Sequence, residues 1–65
     1  MFRIQYYTDM HGLDVLPPVE ERMVLINQLQ RWKEAWERDD IIALPGDLMI
    51  PAREIRYMLI TEVWA

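Results

Sequence analysis

A chain of 65 residues holding eleven Asp and Glu against seven Lys and Arg, with a net charge of -4 and no cysteine, has room for one domain, residues 1–65. Nothing can staple it by disulfide, and no Cys/His cluster reads as a structural zinc site. The acidic balance opposes steering toward nucleic acid or anionic membrane, and no apolar run approaches the roughly 18 residues of a membrane span.

Residues of the hydrophobic class make up 52% of the chain, with three Trp, three Tyr and five Met. A domain this short buries only about 60% of the surface its unfolded chain exposes. Trp32, Trp36 and Trp64 are therefore hard to hide together, and cover from another subunit or a partner is expected. The N-terminal Met-Phe-Arg-Ile-Gln-Tyr-Tyr lacks the uninterrupted apolar stretch of a signal peptide. With the absence of cysteine, this leads to an expected cytoplasmic location.

Phe2 to Thr8 reads as a strand, because Phe2, Ile4 and Tyr6 alternate with Arg3, Gln5 and Tyr7. Asp9 to Pro18 reads as a connection. Asp9, His11, Gly12 and Asp14 form turns, while Leu13, Val15 and Leu16 hold the loop against the core. Pro17-Pro18 stiffens the entry to a helix predicted from Val19 to about Asp39. Leu25, Leu29, Trp32 and Trp36 fall in one stripe of that helix at spacings of 4, 3 and 4, and should face the sheet. Met23, Val24 and Ile26 lie off the stripe and form a second apolar surface. Asp39-Asp40 suits the negative end of the helix dipole poorly, so the helix should stop near there.

Ile41 to Leu44 is a short β-branched run, and Pro45-Gly46 follows with the residues of a type II turn. That turn matches strand twist poorly, which predicts a loop longer than two residues. Leu48-Met49-Ile50 is extended again. Pro51 opens a single helical turn at Ala52-Arg53-Glu54. Ile55 to Val63 is apolar on both parities, so it reads as a strand covered on both faces; a helix from Pro51 to Glu62 is the competing reading. The expected fold is α+β, with order β-α-β-β and one long helix packed on one face of a small antiparallel sheet.

No residue pattern supports catalysis. Serine and cysteine are absent, which rules out a Ser/Cys–His triad. Glu20-Glu21 and Asp39-Asp40 are adjacent pairs at helix ends rather than a pocketed dyad. His11 is the sole histidine and lacks co-ligands at metal-binding spacing, and two isolated glycines make no phosphate cradle. No cofactor is expected. Arg53, Arg56 and Tyr57 are the best candidates for holding an anion or a nucleotide phosphate.

The segment Asp40 to Ile60, with its Pro-Gly and Ile-Pro-Ala, resembles small bacterial and phage proteins in which a strand, turn, short strand, one-turn kink and last strand follow a helix. The resemblance implies the fold, and it suits the inhibitors of host proteins found among phage proteins of this size. It carries no functional residue over.

Two functional readings result. In the first, the chain is a non-enzymatic interaction protein that homo-oligomerises and binds or modulates a larger protein. Its interface would be Met23, Val24 and Ile26 on the helix and Met58, Ile60 and Trp64 near the C-terminus. In the second, it is a small-molecule module with an anion or nucleotide held near Arg53, Arg56 and Tyr57 at a subunit interface.

Overall fold

The computed structural model describes residues 1–64. Five strands and one long helix follow in the order β1 (Phe2–Thr8), β2 (Gly12–Val15), α1 (Arg22–Glu37), β3 (Ile41–Leu44), β4 (Leu48–Pro51) and β5 (Ile55–Glu62). A one-turn 3-10 helix, Ala52–Glu54, joins β4 to β5. The fold is α+β, with a three-stranded antiparallel sheet in the order β2-β1-β5 and a separate β3-β4 hairpin.

The segment expected as a connection contains a strand. Thr8 pairs with Gly12 across the three-residue loop Asp9-Met10-His11. Gly12 closes the loop with a φ of 72°, a left-handed conformation that costs glycine little. The Thr8 hydroxyl accepts from the His11 N–H at 3.1 Å. A segment rich in turn formers at both ends conceals a four-residue strand, because its pairing partner β1 supplies the hydrogen bonds.

The helix begins at Arg22, three residues later than expected. Val19 instead exchanges two backbone hydrogen bonds with Phe2, at 2.7 and 2.8 Å. Its N–H and C=O therefore serve the sheet rather than a helix. At the other end, Asp39 has a φ of 55°. The Asp40 N–H reaches the Ala35 carbonyl at 2.9 Å and the Asp39 N–H reaches Trp36 at 3.3 Å. These two bonds are a Schellman motif, built here on aspartate instead of glycine.

The core lies between one face of the three-stranded sheet and a cover made of α1 and the hairpin. Ile4 and Tyr6 come from β1, Leu25, Trp32 and Ala35 from α1, Ile42, Leu44 and Ile50 from the hairpin, and Ala52 and Ile55 from the C-terminal segment. Tyr6 and Trp32 meet edge to face with centroids 5.6 Å apart. Trp36, expected on the buried stripe, is 43% exposed, and the small Ala35 takes a core position beside it. Leu29 is only partly buried against the core.

The β3-β4 loop is Pro45-Gly46-Asp47, one residue longer than a tight hairpin, with positive φ at Gly46 and Asp47. The stretch after Pro51 is a helical turn followed by a strand, and β5 runs antiparallel to β1 along its full length. A bulge at Tyr7/Thr8 shifts the register once, leaving Arg56 as the extra residue.

Truncation separates the true core positions from the expected stripe. Trp32→Ala should cost about 3–5 kcal/mol, enough to unfold a domain of this size, while Leu29→Ala should cost less than the 2–5 kcal/mol of a fully buried leucine. Thermal melts followed by circular dichroism check this, and equal losses at the two positions would contradict the placement of α1.

Candidate interaction surface

The alternation of β1 sends Ile4, Tyr6 and Thr8 into the core and turns Arg3, Gln5 and Tyr7 to the opposite face of the sheet. Registers across the sheet then build two rows on that outer face. One row is Leu13, Tyr7 and Tyr57; the next is Val15, Gln5 and Leu59. Tyr7 and Tyr57 stack with planes 7° apart and centroids at 5.8 Å. Leu13 is 58% exposed, and Tyr7, Val15, Tyr57 and Leu59 are exposed to a smaller degree. Within one chain β5 is thus covered on its helix-side face alone. The helix and the hairpin pack against the opposite face of the sheet, and no other element among the described residues covers this one.

The third row of the face is polar. Arg3 and Thr61 lie opposite each other, and the Arg3 Nε and Thr61 Oγ1 atoms are shielded without a hydrogen-bond partner. A shielded, unpaired polar atom costs about 1–3 kcal/mol.

The six interface residues expected from sequence divide into separate places. Ile26 and Ile60 line one groove between α1 and β5, together with Leu29 and Lys33. Val24 lies on the opposite flank of the helix, near Pro17, Ala43 and Pro45. Met23 and Trp64 are exposed at 61% and 83%, and Met58 is half-buried against the core. The outer row of Leu13, Tyr7 and Tyr57 escaped the sequence reading because β2 escaped it. The alternating Leu13 and Val15 in Gly12–Val15 were the available signal.

The two candidate anion-binding arginines are engaged within the chain. Arg53 donates from Nε to the Trp36 carbonyl at 3.1 Å and lies 3.5 Å from the Glu37 carbonyl and from Asp39 Oδ1. Its guanidinium sits 5.0 Å from the centre of the Trp36 ring. Arg53 therefore serves the C-terminus of α1, where the last turn carries no basic residue of its own and the dipole favours a cation. Arg56 donates from Nε to Asp9 Oδ2 at 2.8 Å and also holds it through a terminal nitrogen. This pair lowers the Asp9 pKa, chiefly through the hydrogen bond, and raises that of Arg56. Tyr57, Arg56, Trp36 and Lys33 line a shallow depression of about 280 Å³. His11 is exposed in its loop, and among the described residues no three His, Cys, Asp or Glu side chains gather as a metal site. No helix of the described residues is long and apolar enough to cross a membrane.

Beneath the outer face, the part-buried Tyr6 hydroxyl donates to Asp14 Oδ2 at 3.4 Å. Burial raises the Tyr6 pKa above the ordinary phenol value, and the Asp14 carboxylate adds to the shift. Comparison with protein-family models, with curated proteins and with solved structures finds no significant match.

Two measurements follow from this geometry. Arg53→Ala should lower stability by about 1 kcal/mol, the scale of a helix-end cation with a cation–π contact; an unchanged melting temperature would contradict its capping role. The raised Tyr6 pKa means the folded chain keeps a proton that the unfolded chain loses first. Its contribution is intact below the unfolded phenol pKa and is lost as pH rises through the folded value. Urea midpoints should therefore fall above about pH 10, and Tyr6→Phe should flatten that alkaline decline.

Proposed function

We propose that this chain is a non-enzymatic interaction protein that self-associates and engages a larger protein through the outer face of the β2-β1-β5 sheet. The observation that carries the reading is the pair of rows headed by Leu13-Tyr7-Tyr57, which the chain's own helix and hairpin leave open. Tyrosine and leucine side chains projecting from paired strands form a preorganised surface, so little conformational entropy is lost when a partner covers them. Tyrosines supply rigid contact area together with a hydroxyl, a combination enriched where binding energy concentrates. The resemblance of residues 40–60 to small proteins of bacteria and their phages suits an inhibitor or modulator of a host protein.

A ligand module built on Arg53 and Arg56 has less support, since both guanidinium groups are already held by carboxylates or backbone carbonyls. The two readings separate by experiment. A partner retained from lysate should bind the purified parent protein directly. It should lose about 2 kcal/mol or more of affinity to Tyr57→Ala, a hot-spot-sized effect, and bind Met23→Glu normally. Equal binding by parent and Tyr57→Ala would remove the outer face from the reading. Thermal stabilisation by nucleotides, absent in Arg56→Ala, would favour the ligand module instead.

A further inference from the structure

The free edge of β5 offers a specific mode of self-association. Met1 and Val63 exchange two backbone hydrogen bonds, at 2.7 and 3.2 Å. In an antiparallel ladder such pairs alternate with non-bonded ones, so Arg3–Thr61, Gln5–Leu59 and Tyr7–Tyr57 are the bonded pairs of β1 and β5. The N–H and C=O groups of Met58, Ile60 and Glu62 consequently point away from β1. Sheet order makes β5 an outer strand, and none of these groups makes a backbone hydrogen bond elsewhere among the described residues.

Exposed strand edges are usually blunted by shortness, proline, lysine or an inward charge. The other edges here are short: β2, β3 and β4 have four residues each, β2 carries Asp14, and β4 ends in Pro51. β5 has eight residues, and Tyr57-Met58-Leu59-Ile60-Thr61 holds no charge, proline or glycine. Its charges stand only at the flanks, as Arg56 and Glu62.

We propose that two copies of this chain pair β5 with β5 in antiparallel fashion about a twofold axis at Leu59, placing Arg56 of each copy opposite Glu62 of the other. This rests on the self-association reading above and specifies its geometry. From Met58 to Glu62 the outward-facing backbone groups belong to even-numbered residues, which limits symmetric pairing to registers that match even with even. With the axis at Met58, Arg56 faces Ile60 and Glu62 runs opposite Glu54, a like charge. With the axis at Ile60, Arg56 faces Trp64 and Glu62 faces Met58. Only the Leu59 register sets opposite charges across from each other at both ends, and directly opposed pairs of opposite sign stabilise a ladder.

Asp9 occupies Nε and one terminal nitrogen of Arg56. A guanidinium carries five N–H donors, so further donors remain for Glu62 of the second copy. In this register Met58 meets Ile60 on the helix side, beside the groove of Ile26, Leu29 and Ile60. On the outer side Leu59 meets Leu59. Two three-stranded sheets then become one of six strands, and the two outer apolar patches merge into one.

The chain has no cysteine, which makes site-directed crosslinking clean. Residues at 59 would form a non-hydrogen-bonded pair with Cα atoms about 4.5 Å apart, within disulfide reach. Leu59→Cys should oxidise to a covalent dimer at low concentration, while Thr61→Cys, placed opposite Tyr57, should not. Sedimentation should show Glu62→Arg weakening the dimer by about tenfold or more, and the double variant Arg56→Glu/Glu62→Arg recovering it. Circular dichroism of each variant confirms folding. A parent that stays monomeric at all concentrations would overturn both this pairing and the self-association reading. A dimer that ignores the charge reversal, or that crosslinks as readily at 61 as at 59, would overturn the pairing alone.

Discussion

Tyr6 and Trp32 meet edge to face at the centre of the molecule, and the rest of the structure is arranged around that contact. It joins the middle strand of the sheet to the middle of the helix, and so decides which face of the sheet the helix covers. Ile4, fully buried, shares that face. Once the helix lies there, the hairpin follows through Ile42, Leu44 and Ile50. A sheet has two faces, and among the described residues the helix and the hairpin both cover the same one; the other keeps Leu13, Tyr7, Val15, Tyr57 and Leu59 exposed.

The helix ends show how local chemistry is bent to that arrangement. Val19 gives up its helical position to pair with Phe2, which ties the chain entering α1 to the strand that α1 must cover. At the C-terminal end, aspartates stand where the dipole favours cations. Arg53, seventeen residues after Trp36, corrects this by bonding the exposed carbonyls. The same arginine lies over the Trp36 ring, so an indole outside the core keeps one face covered.

Electrostatic pairing among the described residues is exposed. Lys33–Glu37, Arg53–Asp39 and Arg56–Asp9 all have side chains more than half open to solvent, where ion pairs contribute about 0–1 kcal/mol. Stability therefore rests on the apolar core. One of these pairs, Arg56 with Asp9, sits at the bulge where Arg56 is the extra residue of β5.

The alternation of Phe2, Ile4 and Tyr6, the long helix, the Pro-Gly turn and the Ile-Pro-Ala kink were legible in the residues alone. Each depends on contacts within a few positions of the chain: side-chain period, the fixed φ of proline, the freedom of glycine. Gly12–Val15 was not legible as a strand, because four residues bounded by turn formers become extended only when β1 lies alongside to accept their hydrogen bonds. The start of α1 at Arg22 and the exposure of Trp36 also lay beyond the sequence, since both depend on partners far along the chain, Phe2 and Arg53. An excess of apolar surface was determined by composition and length. Which surface stays open was decided only by tertiary packing, because a strand that alternates two apolar sets cannot say which set the single helix will cover.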